Sequence, residues 1–203
     1  MSAKAPIDFY FDLSSPYGCL ASQKIEALAH RHDRSVAWHP MLLGAVFKRT
    51  GTAPLTEIPL KGDYSKRDFA RSARFHGLPV FEMPPRFPIP TQVPARLLLW
   101  LKLHAPGRMV PAAKAFFHAY FYRHVDISTP EHALAVLAPL EVDLTAAHGA
   151  LDDPKVKDAL REEVDGAIAR GVFGSPFFIV DGEPFWGLDR LDQLERWLVT
   201  GGF

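Results

Sequence analysis

The sequence contains a single cysteine, Cys19, among its 203 residues. One cysteine cannot close a disulfide within the chain, and a chain without disulfides is typical of a reducing compartment. The expected role of Cys19 is that of a small buried apolar side chain rather than of a redox partner.

Charge of one sign is not in excess, because 23 Lys and Arg residues balance 23 Asp and Glu residues. Nucleic acids and anionic membranes are bound through surplus cations that displace counterions, so we expect neither partner. The apolar runs are too short to span a bilayer, and the opening residues MSAKAP lack the apolar segment of a signal peptide. These features predict a cytoplasmic protein. The nine histidines show no metal-ligand spacing, so no metal site is expected.

The stretch 11–20, FDLSSPYGCL, organises the rest of the sequence. Apolar residues alternate with polar ones through a predicted strand, at Ile7, Phe9, Phe11 and Leu13. Ser14 and Ser15 then offer hydroxyl caps, and Pro16 suits the first position of a helix, which is predicted to run to the polar segment 31–34. A hydroxyl at this point meets free backbone N–H groups and the positive end of the helix dipole, which favour an anion. An ordinary helix cap is the alternative interpretation.

A second strand is predicted near Val36–His39, which makes the opening a β-α-β unit. A loop follows over Gly51–Gly62, and Ser65 with Asp68 resembles a capping box that starts the next helix. Residues 78–94 contain six prolines, which predicts a long ordered loop.

Helical patterns fill residues 95–170, and two of these helices are expected to begin at a cap followed by proline, after Thr129 and Asp153. The C-terminal part then returns to strands: Phe177–Val180, a hairpin turn and Pro184–Trp186. Asp189 is expected to cap the final helix.

The order β-α-β, helices, β-β-α brackets a helical block between two sheet-forming pieces. The simplest packing joins the two pieces, 1–62 and 171–203, into one α/β domain and makes 63–170 an inserted all-helical domain.

This order resembles the thioredoxin-like fold with a helical insertion that DsbA-type oxidoreductases have. More closely, the chain resembles the kappa-class glutathione transferases and their relatives, the 2-hydroxychromene-2-carboxylate isomerases. The shared segments follow the same order through nearly the whole chain: FDLSSPY at 11–17, KGDY at 61–64, PKVK at 154–157, GVFGSP at 171–176 and FWGLDR at 185–190.

The resemblance implies a homodimer that uses glutathione as its cofactor. Thioredoxin relatives place a catalytic cysteine directly before the proline that starts the helix, where this chain has Ser15. Without a thiol there or at Gly18, dithiol–disulfide exchange is excluded. The resemblance instead implies that the Ser15 hydroxyl donates a hydrogen bond to the sulfur of glutathione. A serine nucleophile is the alternative, and it would need an activating base.

The other glutathione contacts are also implied by the resemblance. Lys61 meets a carboxylate, with a solvated surface lysine as the alternative. Thr52 stands where relatives often have an asparagine, so that contact is in question. A cis Ser175–Pro176 bond presents the backbone of Ser175 to the ligand as a short strand would, with an ordinary proline at the entry of a strand as the alternative. The γ-glutamyl end is held by the backbone of Leu188 and the side chain of Asp189. Arg190 orients the Asp189 carboxylate.

The implied activity is that of a glutathione-dependent isomerase acting on a small aromatic substrate. The isomerases convert 2-hydroxychromene-2-carboxylate to trans-o-hydroxybenzylidenepyruvate, and Phe81 and Phe87 are candidates for gripping the ring. Two alternatives remain open. One is a kappa-like transferase or peroxidase that consumes glutathione, and the other is a binding module without chemistry.

Overall fold

Four strands form one mixed sheet in the computed structural model, which describes residues 4–203. The strand order is β2-β1-β3-β4, with β1 Ile7–Phe11, β2 Val36–Pro40, β3 Phe177–Val180 and β4 Glu183–Trp186. β1 pairs parallel to β2 and antiparallel to β3, and β3 pairs antiparallel to β4. The two ends of the chain therefore build one sheet, and the predicted thioredoxin-like order is confirmed.

Helices cover both faces of the sheet and fill the middle of the chain: α1 Pro16–Ser22, α2 Ile25–Arg31, α3 Leu43–Thr50, α4 Lys61–Phe75, α5 Gln92–His104, α6 Pro106–Arg123, α7 Pro130–Leu137, α8 Leu144–Ala150, α9 Pro154–Ala169 and α10 Leu191–Thr200. Short 3-10 turns occur at Leu55–Glu57, Ala138–Leu140 and Leu188–Arg190. Within residues 4–203, no helix is long and apolar enough to cross a membrane.

The two faces of the sheet follow from the alternation in β1. Odd-numbered residues such as Phe9 pack against Phe178 and Trp38, with ring centroids 5.3 and 4.9 Å apart, and face the cluster that includes residues of α1, α2, α6 and α10. Tyr10 points to the other face, where it packs with residues of β3, α3 and α9. Both faces are buried, so the central strands are held on two sides.

The inserted helices share a hydrophobic core with the sheet. Phe116 and Phe117 of α6 are fully buried, and the Phe117 ring lies 5.7 Å from that of Phe11 in β1. The division into 1–62 with 171–203 and 63–170 stays a prediction. Helix α4 begins at Lys61, two residues before the predicted boundary.

The first predicted helix is interrupted, which corrects its expected extent. Helix α1 ends at Ser22, whose hydroxyl donates to the carbonyl of Cys19 at 2.7 Å. The next two N–H groups, of Gln23 and Lys24, bond to carbonyls three residues back rather than four. This tightening of the last turn interrupts the series of backbone hydrogen bonds to carbonyls four residues back, and a separate helix, α2, begins at Ile25.

Three boundaries in the middle of the chain also differ from the prediction. Helix α3 lies in a stretch where no helix was predicted. Helix α4 begins at Lys61 rather than near Ser65, because Ser65 is buried and its hydroxyl donates inward to the Gly62 carbonyl. The proline-rich loop ends before α5, whose first turn includes Pro94, where a missing N–H is tolerated. The starts after Thr129 and Asp153 are confirmed, since both side chains accept a helix N–H.

Gly62 and Gly44 make a matched pair, because each is the second residue of its helix. A Cβ on Gly62 would lie 2.4 Å from the Thr56 carbonyl oxygen, whereas one on Gly44 would meet nothing within 4 Å. We expect Gly62→Ala to lower the free energy of unfolding by about 1–3 kcal/mol through overpacking against backbone. Gly44→Ala should raise it by up to about 1 kcal/mol, since alanine loses less backbone entropy in a helix. Denaturant unfolding measures both, and equal changes would contradict the packing argument.

Candidate active site

Three turns meet at one edge of the sheet: 12–15 after β1, 175–176 before β3 and 187–189 after β4. The Ser175–Pro176 bond is cis, as predicted. The N–H of Gly187 donates to the Pro176 carbonyl at 3.0 Å, which ties the last two turns together. Residues from both ends of the sequence therefore form one surface.

Ser15 caps α1 and also contacts the cis-proline segment. Its Oγ accepts a hydrogen bond from the Gly18 N–H at 3.0 Å, and its hydroxyl donates to the Ser175 carbonyl at 2.8 Å. The residue is 4% exposed. Across the part of the chain that the structure describes, no histidine, lysine or carboxylate is hydrogen-bonded to this oxygen. Among the described residues, the nucleophile alternative therefore has no hydrogen-bonded base.

Gly18 allows the two serines to approach each other. A Cβ at this position would lie 2.8 Å from Ser175 Oγ and 3.0 Å from Ser15 Cβ, so a larger residue would force them apart. Ser175 Oγ itself accepts a hydrogen bond from the backbone N–H of Asp12 at 3.0 Å. The cis-proline segment is thus joined to the end of β1 by a side chain as well as by the sheet.

The Asp12 carboxylate is a buried centre of the site that the sequence analysis did not select. Oδ1 accepts from the Ser14 N–H at 2.7 Å and from the Thr91 hydroxyl at 3.2 Å, and Oδ2 accepts from the Leu43 N–H at 2.7 Å. Burial raises the pKa of this carboxyl, while the three hydrogen bonds oppose the rise. The available signal was a carboxylate placed between a buried strand and the Ser14 turn.

The Tyr17 hydroxyl links α1 to α4. It donates to Asp68 Oδ2 at 2.5 Å, and burial followed by this carboxylate raises the pKa of the tyrosine. Partial burial would raise the pKa of Asp68, but hydrogen bonds from Tyr17 and Arg71 hold it below its usual range. Because α4 begins at Lys61, this contact fixes the helix that carries the predicted carboxylate-binding lysine.

Among residues 4–203, Lys61 and Thr52 form no hydrogen bond with Ser15 or Ser175. Lys61 is exposed and, among residues 4–203, forms no salt bridge. The Thr52 hydroxyl is exposed and lies 2.8 Å from that of Thr50. Thr52 lies two residues beyond the end of α3, whose eight residues extend about 12 Å from the Leu43 end at a rise of about 1.5 Å per residue. The structure does not bring either side chain into contact with Ser15.

Asp189 is not the cap of the final helix, which corrects the prediction. Gly187 has φ +111°, and the chain then forms a 3-10 turn, so α10 begins at Leu191 with Arg190 in the capping position. Asp189 Oδ1 turns back toward Gly187, where a Cβ would lie 2.4 Å away. The Asp189 side chain is 73% exposed, and its carboxylate lies 3.4 Å from the Arg190 guanidinium. Leu188 is buried beneath the turn.

The two aromatic candidates in the proline-rich loop differ. Phe81 is buried against Phe121 and Tyr122, so it is a core residue and not a free substrate contact. Phe87 is half-buried and lies parallel to Tyr120, with ring centroids 6.5 Å apart. Of the two side chains, only that of Phe87 is partly exposed.

Cys19 is buried in the core, and burial raises the pKa of its thiol, so its predicted apolar role is confirmed. Among residues 4–203, no three His, Cys, Asp or Glu side chains gather as metal ligands would.

The DSBA-like thioredoxin domain family matches residues 6–199. The chain belongs to this family. It is 28% identical to glutathione S-transferase kappa 2 of Caenorhabditis elegans over 98% of this chain and 94% of that protein. It is also 28% identical to 2-hydroxychromene-2-carboxylate isomerase of Sphingobium xenophagum over 95% of this chain and 97% of that protein. A solved structure of 2-hydroxychromene-2-carboxylate isomerase superposes with a TM-score of 0.84 at 26% identity, covering 95% of this chain and 94% of the other.

The family assignment confirms the resemblance and the fold predicted from the sequence. The relatives are named as isomerases and glutathione transferases, and they match along nearly their whole length, which supports an enzymatic role of that glutathione-related class.

Asp12→Asn tests the carboxylate centre. An amide presents one acceptor oxygen and two N–H donors, so at least one donor now bound to Asp12 would face another N–H. We expect the free energy of unfolding to fall by about 1–3 kcal/mol, the cost of an unsatisfied buried polar group. Thr91→Val is the control, because it removes one neutral donor and leaves the Ser14 and Leu43 hydrogen bonds to the carboxylate. Denaturant unfolding should show the smaller loss for Thr91→Val, and the reverse order would refute the role assigned to Asp12.

Proposed function

We propose that this protein is a glutathione-dependent isomerase that converts 2-hydroxychromene-2-carboxylate to trans-o-hydroxybenzylidenepyruvate. The observation that carries the proposal is the Ser15 hydroxyl, held at the start of α1 and against the Ser175 carbonyl. The full-length similarity to proteins named for this reaction supports it.

The exposed groups at the site fit glutathione chemically. Glutathione offers two carboxylates, one ammonium, peptide groups and a thiol. The protein offers an exposed lysine, an exposed carboxylate in Asp189, and the backbone of the cis-proline segment beside the Ser15 hydroxyl. In our proposal Lys61 and Thr52 hold a carboxylate end. The peptide portion lies along Ser175 and Pro176, and the γ-glutamyl end meets a set of three residues, Leu188, Asp189 and Arg190.

The role of Ser15 is to stabilise the thiolate. A thiol with a pKa near 8.5 must drop by roughly 2 units to be mostly ionised at neutral pH, which corresponds to about 2.7 kcal/mol. A hydrogen bond to a charged acceptor contributes about 1.5–3 kcal/mol, and a helix end about 0.3–1 kcal/mol. Together, the hydrogen bond and the helix end are large enough to account for this lowering of the thiol pKa.

The Ser15 hydroxyl already has an acceptor, the Ser175 carbonyl, so its proton must change partner. A thiolate is a charged and therefore stronger acceptor, so it would draw the Ser15 proton away from that carbonyl, and a peptide N–H of the ligand would then pair with the carbonyl oxygen. Binding of the peptide backbone and activation of the thiol are then coupled through one carbonyl group.

When bound, glutathione would supply a thiolate. After the cyclic hemiketal has opened, this thiolate would add reversibly to the conjugated carbon and turn the double bond into a rotatable single bond, and elimination would return the thiolate together with the trans product. Ser15 keeps the sulfur ionised, and the buried edge of the sheet around it excludes water.

Assays with a trace of glutathione separate the proposal from a kappa-like transferase. Conversion of many equivalents of substrate supports the isomerase, and conversion that stops at one equivalent supports the transferase.

Ser15→Ala should abolish thiolate formation. Adding the protein to glutathione at neutral pH should raise the ultraviolet absorbance of the thiolate, and the alanine variant should leave it unchanged, because the donor to sulfur is gone. Ser14→Ala is the control, since the Ser14 hydroxyl faces the Ile89 N–H instead. Circular dichroism verifies that the variants fold. A normal absorbance rise in Ser15→Ala would remove this serine from the mechanism.

Lys61→Ala should weaken glutathione binding without slowing the chemical step. A carboxylate contact far from the sulfur is equally strong in the ground and transition states, so the loss of about 1–3 kcal/mol should raise KM for glutathione and leave kcat nearly unchanged. Lys66→Ala should behave as wild type, because Lys66 is an exposed lysine five residues further along α4 that pairs with Asp63. Steady-state titration of glutathione decides the matter. A kcat reduced as severely as in Ser15→Ala would place Lys61 in the chemical step.

A further inference from the structure

A groove of about 240 Å³ lies between α3, α5 and α9. Its lining includes Leu42 and Gln92. Leu42 directly precedes Leu43, and Gln92 directly follows Thr91. Leu43 and Thr91 both donate hydrogen bonds to the Asp12 carboxylate. Part of the wall is apolar and comes from four side chains, Leu42, Ala45, Leu160 and Val164. Two residues of the lining are therefore chain neighbours of donors to Asp12, which connects the groove to the carboxylate centre of the candidate site.

Arg96 lines this groove with a guanidinium that has no carboxylate partner in the described chain. Its Nε is buried and, among residues 4–203, has no hydrogen-bond partner. Its Nη1 reaches the Leu151 carbonyl at 3.4 Å, near the outer limit of a hydrogen bond. A guanidinium is always charged and carries five N–H donors, so leaving it half-buried and unpaired is costly. An anionic acceptor bound to the guanidinium would offset this cost.

The remaining charges of the groove reinforce this conclusion. Lys157 and Arg161 line it as well, and Asp165 is the acidic side chain in the lining. Lys157 pairs with Asp152 at 3.2 Å and Arg161 with Asp158 at 3.0 Å, so both have partners outside the groove. Arg96 is the cation of the lining that has no carboxylate partner among residues 4–203, and the three cations outnumber the one acidic side chain, Asp165. Such a surface is complementary to an apolar molecule that carries one carboxylate.

We propose that this groove binds the substrate's carboxylate end, with the carboxylate on Arg96 and the ring against Leu160 and Val164. The choice of an aromatic acid rests on the proposed function, whereas the anion site itself rests on Arg96. The groove also gives a role to Lys157, part of the PKVK segment that the glutathione contacts leave unused.

The test uses benzoate as the probe and the full chain without glutathione, with binding followed by NMR chemical-shift titration. Wild type should bind benzoate, and Arg96→Gln should weaken binding at least tenfold. Benzamide, which has the same ring without the charge, should bind wild type as weakly as benzoate binds Arg96→Gln. Arg108→Gln is the control, since Arg108 is an exposed arginine of α6 that pairs with Glu141 at 3.1 Å. It should bind benzoate as wild type does.

Thermal unfolding distinguishes a ligand site from a structural strut. Saturating benzoate should raise the Tm of wild type and leave that of Arg96→Gln unchanged. Without benzoate, Arg96→Gln should unfold at no lower temperature than wild type, because the variant removes an unpaired charge. A clearly lower Tm together with unchanged benzoate binding would show that Arg96 only braces Leu151, and would overturn the proposal.

Ala45→Phe provides an independent variant, because it fills the groove from the opposite wall and leaves Arg96 intact. It should weaken benzoate binding in a folded protein, and unchanged binding would refute the site. Ser15→Ala should bind benzoate normally. Benzoate binding without isomerase activity would therefore contradict the proposed function alone, and activity without benzoate binding would contradict this inference alone.

Discussion

The candidate site depends on one buried carboxylate. Asp12 accepts from three donors that belong to the turn before Ser15, to the start of α3 and to the loop before α5. Its own N–H donates to Ser175 Oγ, and its carbonyl accepts from the Ser15 N–H at 2.9 Å. A buried carboxyl group is tolerated when such donors converge on it, and here the convergence fixes several parts of the site to one another.

The two serines show how this fold supports chemistry other than disulfide exchange. A hydroxyl at position 15 cannot form a disulfide, but it can donate a hydrogen bond at a helix start, where an anion is favoured. Gly18 leaves room for Ser175 beside that hydroxyl. In our proposal this arrangement holds the thiolate of glutathione, and the relatives named as glutathione transferases and isomerases are consistent with such a use.

The inserted helices complete both the core and the site. Helix α6 packs its phenylalanines against the sheet, so the insertion cannot be removed without exposing the central strand. Helix α5 contributes Arg96 and begins beside the Thr91 contact to Asp12. Helix α5 therefore connects the Thr91 contact with Asp12 to Arg96, the cation on which the proposed carboxylate site rests.

The sequence by itself determined the features whose causes are local. Alternation marked the strands, cap-then-proline pairs marked the starts after Thr129 and Asp153, and the SPY segment selected Ser15. Local patterns failed where distant contacts decide. Ser65 resembled a cap but is buried, and Asp189 turns away from the helix because Gly187 redirects the backbone. The role of Asp12 was decided only by the tertiary structure, because two of its donors lie 31 and 79 residues away, and periodicity carries no information about partners at such separations.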